Sequence, residues 1–156
     1  MTDDMKAVAE NLIAAVPFAR TLGIEITDIA AEGDAVRAVA TLPDEDRLHN
    51  HVAGPHAGAL FTLGETASGA VGMAAFGPYM HLGTPLAVRS DISYLKLARG
   101  PVTATATLGR PVREVMEELT GGARPEFPVH VEITRADGAV TTAMTVVWTI
   151  RPNGSS

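Results

Sequence analysis

The stretch from Ala57 to about Phe76 constrains this chain more than any other: twenty residues without proline, with a single charge and with no alternation of apolar and polar positions. It is too long and too irregular in period for a strand, so the pattern predicts a helix, and apolar residues over most of its circumference make it a buried one. Gly58, Thr62, Glu65, Ser68 or Gly69, and Gly72 trace one narrow stripe of small or polar groups, which would let a second backbone approach closely. Glu65 is the lone charge. A carboxylate in apolar surroundings is costly unless it is compensated, so Glu65 is a structural acid paired with an arginine, such as Arg89, an acid exposed because the helix is less buried than its composition suggests, or a functional group.

Shorter elements flank this helix. Met5, Val8, Ala9, Leu12, Ile13 and Val16 recur at helical spacing from Asp3 to Val16, and Pro17 closes that segment. Leu22 to Ile29 alternates, Glu32-Gly33-Asp34 turns, and Ala35 to Leu42 alternates again, as in a hairpin. After Gly77-Pro78, four further strands are expected over Leu86–Leu97, Val102–Arg110, Phe127–Thr134 and Val140–Ile150. In Val102 to Leu108 the threonines would face outward, with Val102, Ala104, Ala106 and Leu108 toward the core. Arg99-Gly100-Pro101 and Asp137-Gly138 mark turns between consecutive strands, which makes the sheet antiparallel. Pro111 to Pro128 reads as an exposed excursion holding a single helical turn. The expected fold class is α+β, one curved antiparallel sheet wrapped on a long central helix. Residues 1–20 form an N-terminal helix and lead-in, 21–151 the main domain, and 152–156 a frayed tail.

Composition narrows the function. The 156 residues suffice for one domain with its own core. The absence of cysteine excludes thiol chemistry, thiolate-bound zinc and disulfides, and fits a reducing compartment; the cytoplasm is the expected location. A net charge of −6 argues against nucleic acid as a partner. No apolar run has membrane-spanning length with clean flanks, and the acidic start Met1-Thr2-Asp3-Asp4 is unlike a signal peptide, so no membrane association is expected.

The chemistry concentrates in Asn50-His51-Val52-Ala53-Gly54-Pro55-His56-Ala57-Gly58 and the helix that it enters. The first turn of a helix has N–H groups without intrahelical partners and a partial positive charge, so the amides of Ala57 and Gly58 could stabilise an oxyanion on an acyl carbonyl. Glu65 could activate water as a general base or attack the carbonyl itself. Eight residues separate Ala57 from Glu65, about 12 Å along a helix, so one carbonyl could use both only if Glu65 came from a second subunit. His56 either caps the first turn or acts as a base. Asn50 either orients a water or forms a turn. Ser68, three residues after Glu65, either bonds the carboxylate or a water or packs within the helix. His49, His51 and His56 lack acidic or cysteine partners at ligand spacing, so neither a metal nor any other cofactor is expected.

The order of elements resembles the hotdog fold from Leu22 to Ile150. Asn50, His56-Ala57-Gly58 and Glu65 resemble the motif of its PaaI-like thioesterases, in which Asn precedes His-Gly-Gly and an acid follows two turns into the helix; Ala57 stands in place of the first glycine. The resemblance implies an acyl-CoA thioesterase, a hydrolase that splits an acyl-CoA or other acyl thioester into carboxylic acid and thiol. Its sites would lie at the interface of a homodimer, or of a tetramer built as a dimer of dimers. Asn50, His56, Ala57, Gly58 and Glu65 would be its catalytic groups, with Ser68 near the substrate. Lys96 and Arg99, at the end of a strand that resembles the hotdog strand with a basic residue before a glycine turn, would meet coenzyme A phosphates. Arg110 and Arg113 are further basic candidates. The alternative is a non-catalytic acyl-thioester or lipid-binding module of the same fold. A hydratase or dehydratase would need a His paired with an acid or Asn across the site, a pattern not found here.

Overall fold

The computed structural model describes residues 1–154. Its elements are α1 (Asp3–Ala15), α2 (Pro17–Leu22), β1 (Glu25–Glu32), β2 (Ala35–Leu42), α3 (Ala57–Phe76), β3 (Gly83–Tyr94), β4 (Val102–Leu108), α4 (Val112–Thr120), β5 (Glu126–Arg135) and β6 (Val140–Pro152). The strands form one antiparallel sheet in the order β1-β2-β4-β5-β6-β3. Thus β3 crosses the sheet to pair with β6 and leaves its other side as a free edge.

α3 is the central helix, and its sheet-facing side is the core. Ala59, Leu60, Leu63, Ala67, Ala70 and Val71 are buried against Ala38, Ala40, Leu42, Ala104, Ala106, Val131 and Ile133. Alanines on both surfaces draw the helix close. Gly64 carries this furthest, since a Cβ there would lie 2.6 Å from the Met144 sulfur. β4 alternates as its threonine pattern predicts, with Val102, Ala104, Ala106 and Leu108 buried. Among the described residues no helix is long and apolar enough to cross a membrane.

Several boundaries differ from the sequence reading: β3 runs from Gly83 to Tyr94 instead of Leu86 to Leu97, which leaves Lys96 and Arg99 beyond the strand, and β4 ends at Leu108 instead of Arg110. Pro17 does not merely end the first helix: it occupies the first turn of α2, where its missing N–H and fixed φ cost nothing. β1 begins at Glu25 rather than Leu22, because Leu22 closes α2 and Gly23 takes the left-handed conformation (φ 74°) that terminates it. The excursion between β4 and β5 contains the nine-residue α4, not one turn; Val112, Val115, Met116 and Leu119 fall on one face and pack on the core. At the other end β6 continues through Pro152, and Asn153 donates to the Leu82 carbonyl at 3.0 Å through its N–H and to the His81 carbonyl at 2.6 Å through Nδ2. Residues 155 and 156 lie outside the described residues.

The loop before α3 is pinned to the segment that follows β3. A Cβ on Gly54 would stand 2.4 Å from the Ala98 carbonyl oxygen, a backbone atom that cannot rotate away. Gly54→Ala is therefore expected to force the two segments apart and to destabilise the fold by about 1–3 kcal/mol, the usual cost of overpacking. Urea denaturation measures this, and an unchanged midpoint would contradict the close approach.

Candidate active site at the N-terminus of the central helix

The residues ahead of α3 form a closed loop. The His56 N–H donates to the Leu48 carbonyl at 2.8 Å, and the Asn50 N–H donates to the Gly54 carbonyl at 2.8 Å. Inside it the Asn50 Oδ1 accepts the N–H groups of Val52 and Gly54 at 3.0 and 3.2 Å, and Nδ2 reaches the Pro55 carbonyl at 3.5 Å. Asn50 thus uses its side chain to shape the loop. Ala53 sits at φ 57°, the left-handed region that a Cβ disfavours, so the loop stores a small strain that its hydrogen bonds hold in place.

His56 is the N-cap of α3. Its Nδ1 accepts the Gly58 N–H at 2.8 Å, while its carbonyl accepts from Ala59 and Leu60. An Nδ1 that accepts carries no proton, so a neutral His56 holds its hydrogen on Nε2. The cap divides the two amides that the sequence singles out together. Gly58 N–H is engaged by His56, whereas Ala57 N–H has no partner among the described residues. The Ala57 carbonyl accepts from the Tyr94 hydroxyl at 3.1 Å, which ties the end of β3 to the first turn of α3. A cleft of about 480 Å³ lies over this turn, lined by Phe18 and Leu22 of α2, Arg47, His49 and His56 of the loop, and Thr62 of α3.

Glu65 lies about two turns further on, half-buried, on the face of α3 turned away from the sheet. Its carboxylate has neither ion pair nor hydrogen bond among the described residues. The pairing with Arg89 does not occur: Arg89 reaches across from β3 to Glu126 of β5 at 3.0 Å. Burial without compensation pushes the Glu65 carboxyl above its ordinary value. Thr62, Gly69 and Gly72 share its face and are all partly exposed. Ser68 does not. It is wholly buried, donates to the backbone carbonyl of Glu65 at 2.7 Å and accepts from the Trp148 indole N–H at 2.9 Å, so its hydroxyl serves packing and not substrate contact.

Lys96 and Arg99 are exposed on the segment whose Ala98 carbonyl touches Gly54, which places both beside the loop before α3. Arg110 and Arg113 are occupied elsewhere: Arg110 pairs with Glu114 and Glu118, and Arg113 with Asp34. His49 pairs with Asp44 at 2.6 Å, and no cluster of three His, Cys, Asp or Glu suited to a metal occurs among the described residues. Phe18, Arg47 and Tyr94 were not singled out by sequence. Phe18 follows a proline at a helix start and stays exposed, a position where an aromatic residue covers a neighbouring surface instead of filling the core.

Comparison with known proteins places this arrangement in a family. The sequence model of a family described as a domain of unknown function, DUF4442, matches residues 5–150. The chain belongs to that family. No curated protein is significantly similar to it. Among solved structures, this DUF4442 chain superimposes on the Pseudomonas aeruginosa protein PA5026, described as of unknown function and "Probable Thioesterase", with a TM-score of 0.79 at 21% identity over 95% of each chain. A thioesterase family protein from Silicibacter pomeroyi gives 0.72 at 20% identity, over 96% of this chain and 99% of that one. The Escherichia coli PaaI protein of the phenylacetic acid degradation operon gives 0.68 at 20% identity, over 97% and 95%. These likenesses establish the hotdog fold.

The raised Glu65 carboxyl predicts a sign for stability. Because folding favours its protonated form, the folded chain binds more protons than the unfolded one once pH exceeds the ordinary glutamate value, and stability falls from there to the raised value. Glu65→Gln removes that loss. Thermal melts should show the variant more stable than the wild type at pH 7, with the difference shrinking as pH falls from the raised value to the ordinary glutamate value; a gap independent of pH would contradict the uncompensated charge.

Proposed function

We propose that this protein hydrolyses acyl thioesters, acyl-CoA in particular, with Glu65 as the group that delivers water. The observation that carries the proposal is a carboxylate left unpaired on the open face of a helix whose N-terminal amide is also unpaired. An uncompensated acid is a cost to folding, and a base with a raised pKa is what general-base catalysis near neutral pH requires. The fold shared with proteins named as thioesterases supports this reading.

The two groups lie on one helix but eight residues apart, about 12 Å along its axis, so they act on one carbonyl only when contributed by two protomers. A homodimer through the free edge of β3 supports such sharing. That edge is twelve residues long and exposes Leu86, Val88 and Tyr94, with Leu95 and Leu97 just beyond, an apolar edge that an isolated chain would leave prone to pairing. In the proposed reaction the thioester carbonyl lies against the Ala57 N–H of one protomer, at the positive end of α3. Glu65 of the partner subunit takes a proton from water, the hydroxide adds to the carbonyl carbon, and the negative charge gathers on the carbonyl oxygen. The intermediate collapses by breaking the carbon–sulfur bond, and the proton held by Glu65 passes to the departing thiolate, which gives the free thiol and restores the carboxylate. Lys96 and Arg99, next to the loop, would meet the phosphates of coenzyme A.

His56 acts here by capping and by presenting its Nε2–H at the cleft, and Asn50 by holding the loop. A binding module without turnover is the second reading, favoured by one observation: with Gly58 N–H taken by His56, a single amide remains for the oxyanion.

Release of thiol from a panel of acyl-CoAs, followed with a thiol reagent, decides between them. Hydrolysis is expected in the wild type, with a fall of about two orders of magnitude or more in kcat for Glu65→Gln in a folded protein. Tight acyl-CoA binding without thiol release would reject hydrolysis. Analytical ultracentrifugation is expected to give a dimer or larger assembly, and a fully active monomer would overturn the shared site.

A further inference from the structure

Gly69 and Gly72 are interior helix residues where glycine is a poor helix former, and neither is required by crowding. A Cβ on Gly69 would lie 3.7 Å from the Trp148 ring and one on Gly72 3.9 Å from the Phe127 ring, both ordinary contacts. An alanine would fit at each position, so the missing methyl groups leave space that packing did not demand. That space is a partly open cavity of about 90 Å³ with almost wholly apolar walls, bounded by Leu12 of α1, Gly69, Gly72 and Met73 of α3, Phe127 of β5 and Trp148 of β6. The Trp148 indole N–H is turned out of it and held by Ser68, which leaves the ring itself as wall.

Gly69 lies four residues beyond Glu65 on the same face, about 6 Å along the helix axis. We propose that this cavity receives the far end of the substrate's acyl chain and selects saturated, medium-length, unbranched acyl thioesters, an inference that rests on the thioesterase reading. The carbonyl would react at Glu65, and the chain would run one turn along α3 into the cavity of the same protomer. A volume of about 90 Å³ holds roughly three chain carbons, judged against the six carbons of a benzene ring in an engineered cavity of about 150 Å³. With the carbons needed to cross one turn, the chain that fits is about six to eight carbons long. A benzene ring occupies an engineered cavity of about 150 Å³, so an aryl acyl group is a poorer fit.

Trp148 is the one tryptophan of the chain, so its emission reports on the cavity directly. Octanoate is expected to shift that emission saturably in the wild type. In Gly69→Ala/Gly72→Ala, whose added methyl groups clash with nothing and favour the helix, octanoate binding should weaken at least tenfold. The ratio of kcat/KM for octanoyl-CoA to that for acetyl-CoA should also fall at least tenfold. Wild-type octanoate affinity in the folded double variant, or no response of Trp148 to octanoate, would overturn the cavity as the acyl site. Glycine-dependent octanoate binding by a protein that hydrolyses no thioester would uphold the cavity and reject the thioesterase reading; hydrolysis without such binding would do the reverse.

Discussion

The packing of α3 onto the sheet is the constraint from which the rest follows. Alanines on β2 and β4 and Gly64 on the helix bring the two surfaces close, so one side of α3 is committed to the core along its whole length. Every group on the other side is thereby placed. Thr62, Glu65, Gly69 and Gly72 fall on the flank left partly exposed because Leu63, Ala67, Ala70 and Val71 take the core, and Gly69 and Gly72 there look onto Trp148 of β6 and Phe127 of β5. The helix cannot rotate to bury Glu65 or to find it a partner without removing those apolar residues from the core, where each large one contributes about 1.5–3 kcal/mol. The unpaired carboxylate is sustained by the hydrophobic face opposite.

The same helix organises the electrostatics at its start. Its first turn presents orphan N–H groups, and His56 satisfies one of them while leaving the Ala57 amide open. That choice depends on the loop from His49 to His56, which Asn50 holds from within and Ala98 braces from outside. Tyr94 then bonds the Ala57 carbonyl, so the end of β3 and the start of α3 are positioned together. The exposed apolar edge of β3 leads directly into this contact. Strand edge, loop and helix terminus form one continuous surface, and a partner chain that covered the edge would also reach the helix terminus.

Much of this was legible in the residues. The long helix, both hairpin strands and the four later strands are visible as apolar periodicities and turn signals, because local spacing decides which face of an element can be buried. The segment from Asn50 to Glu65 stood out by its resemblance to a thioesterase motif, and helix geometry fixes only the distance from Ala57 to Glu65. What sequence misjudged were contacts between distant segments. Arg89 is drawn to Glu126 because β3 returns beside β6, one strand away from β5, a pairing that no local pattern announces. Ser68 lies near Glu65 in sequence, yet Trp148, eighty residues away, claims its hydroxyl. The helix α4 was hidden by the glutamates and glycines around it, although Val112, Val115, Met116 and Leu119 have helical spacing.

The sequence by itself determined the class of fold, the place of the central helix and the isolation of one acid upon it, because these depend on the order and period of apolar residues and on the fixed rise of a helix. Only the tertiary structure decided that Glu65 has no partner, that His56 consumes one of two adjacent amides, and that two glycines leave a cavity under Trp148. Those outcomes turn on ångström distances between segments far apart in the chain, and such distances exist only once the sheet has closed around the helix.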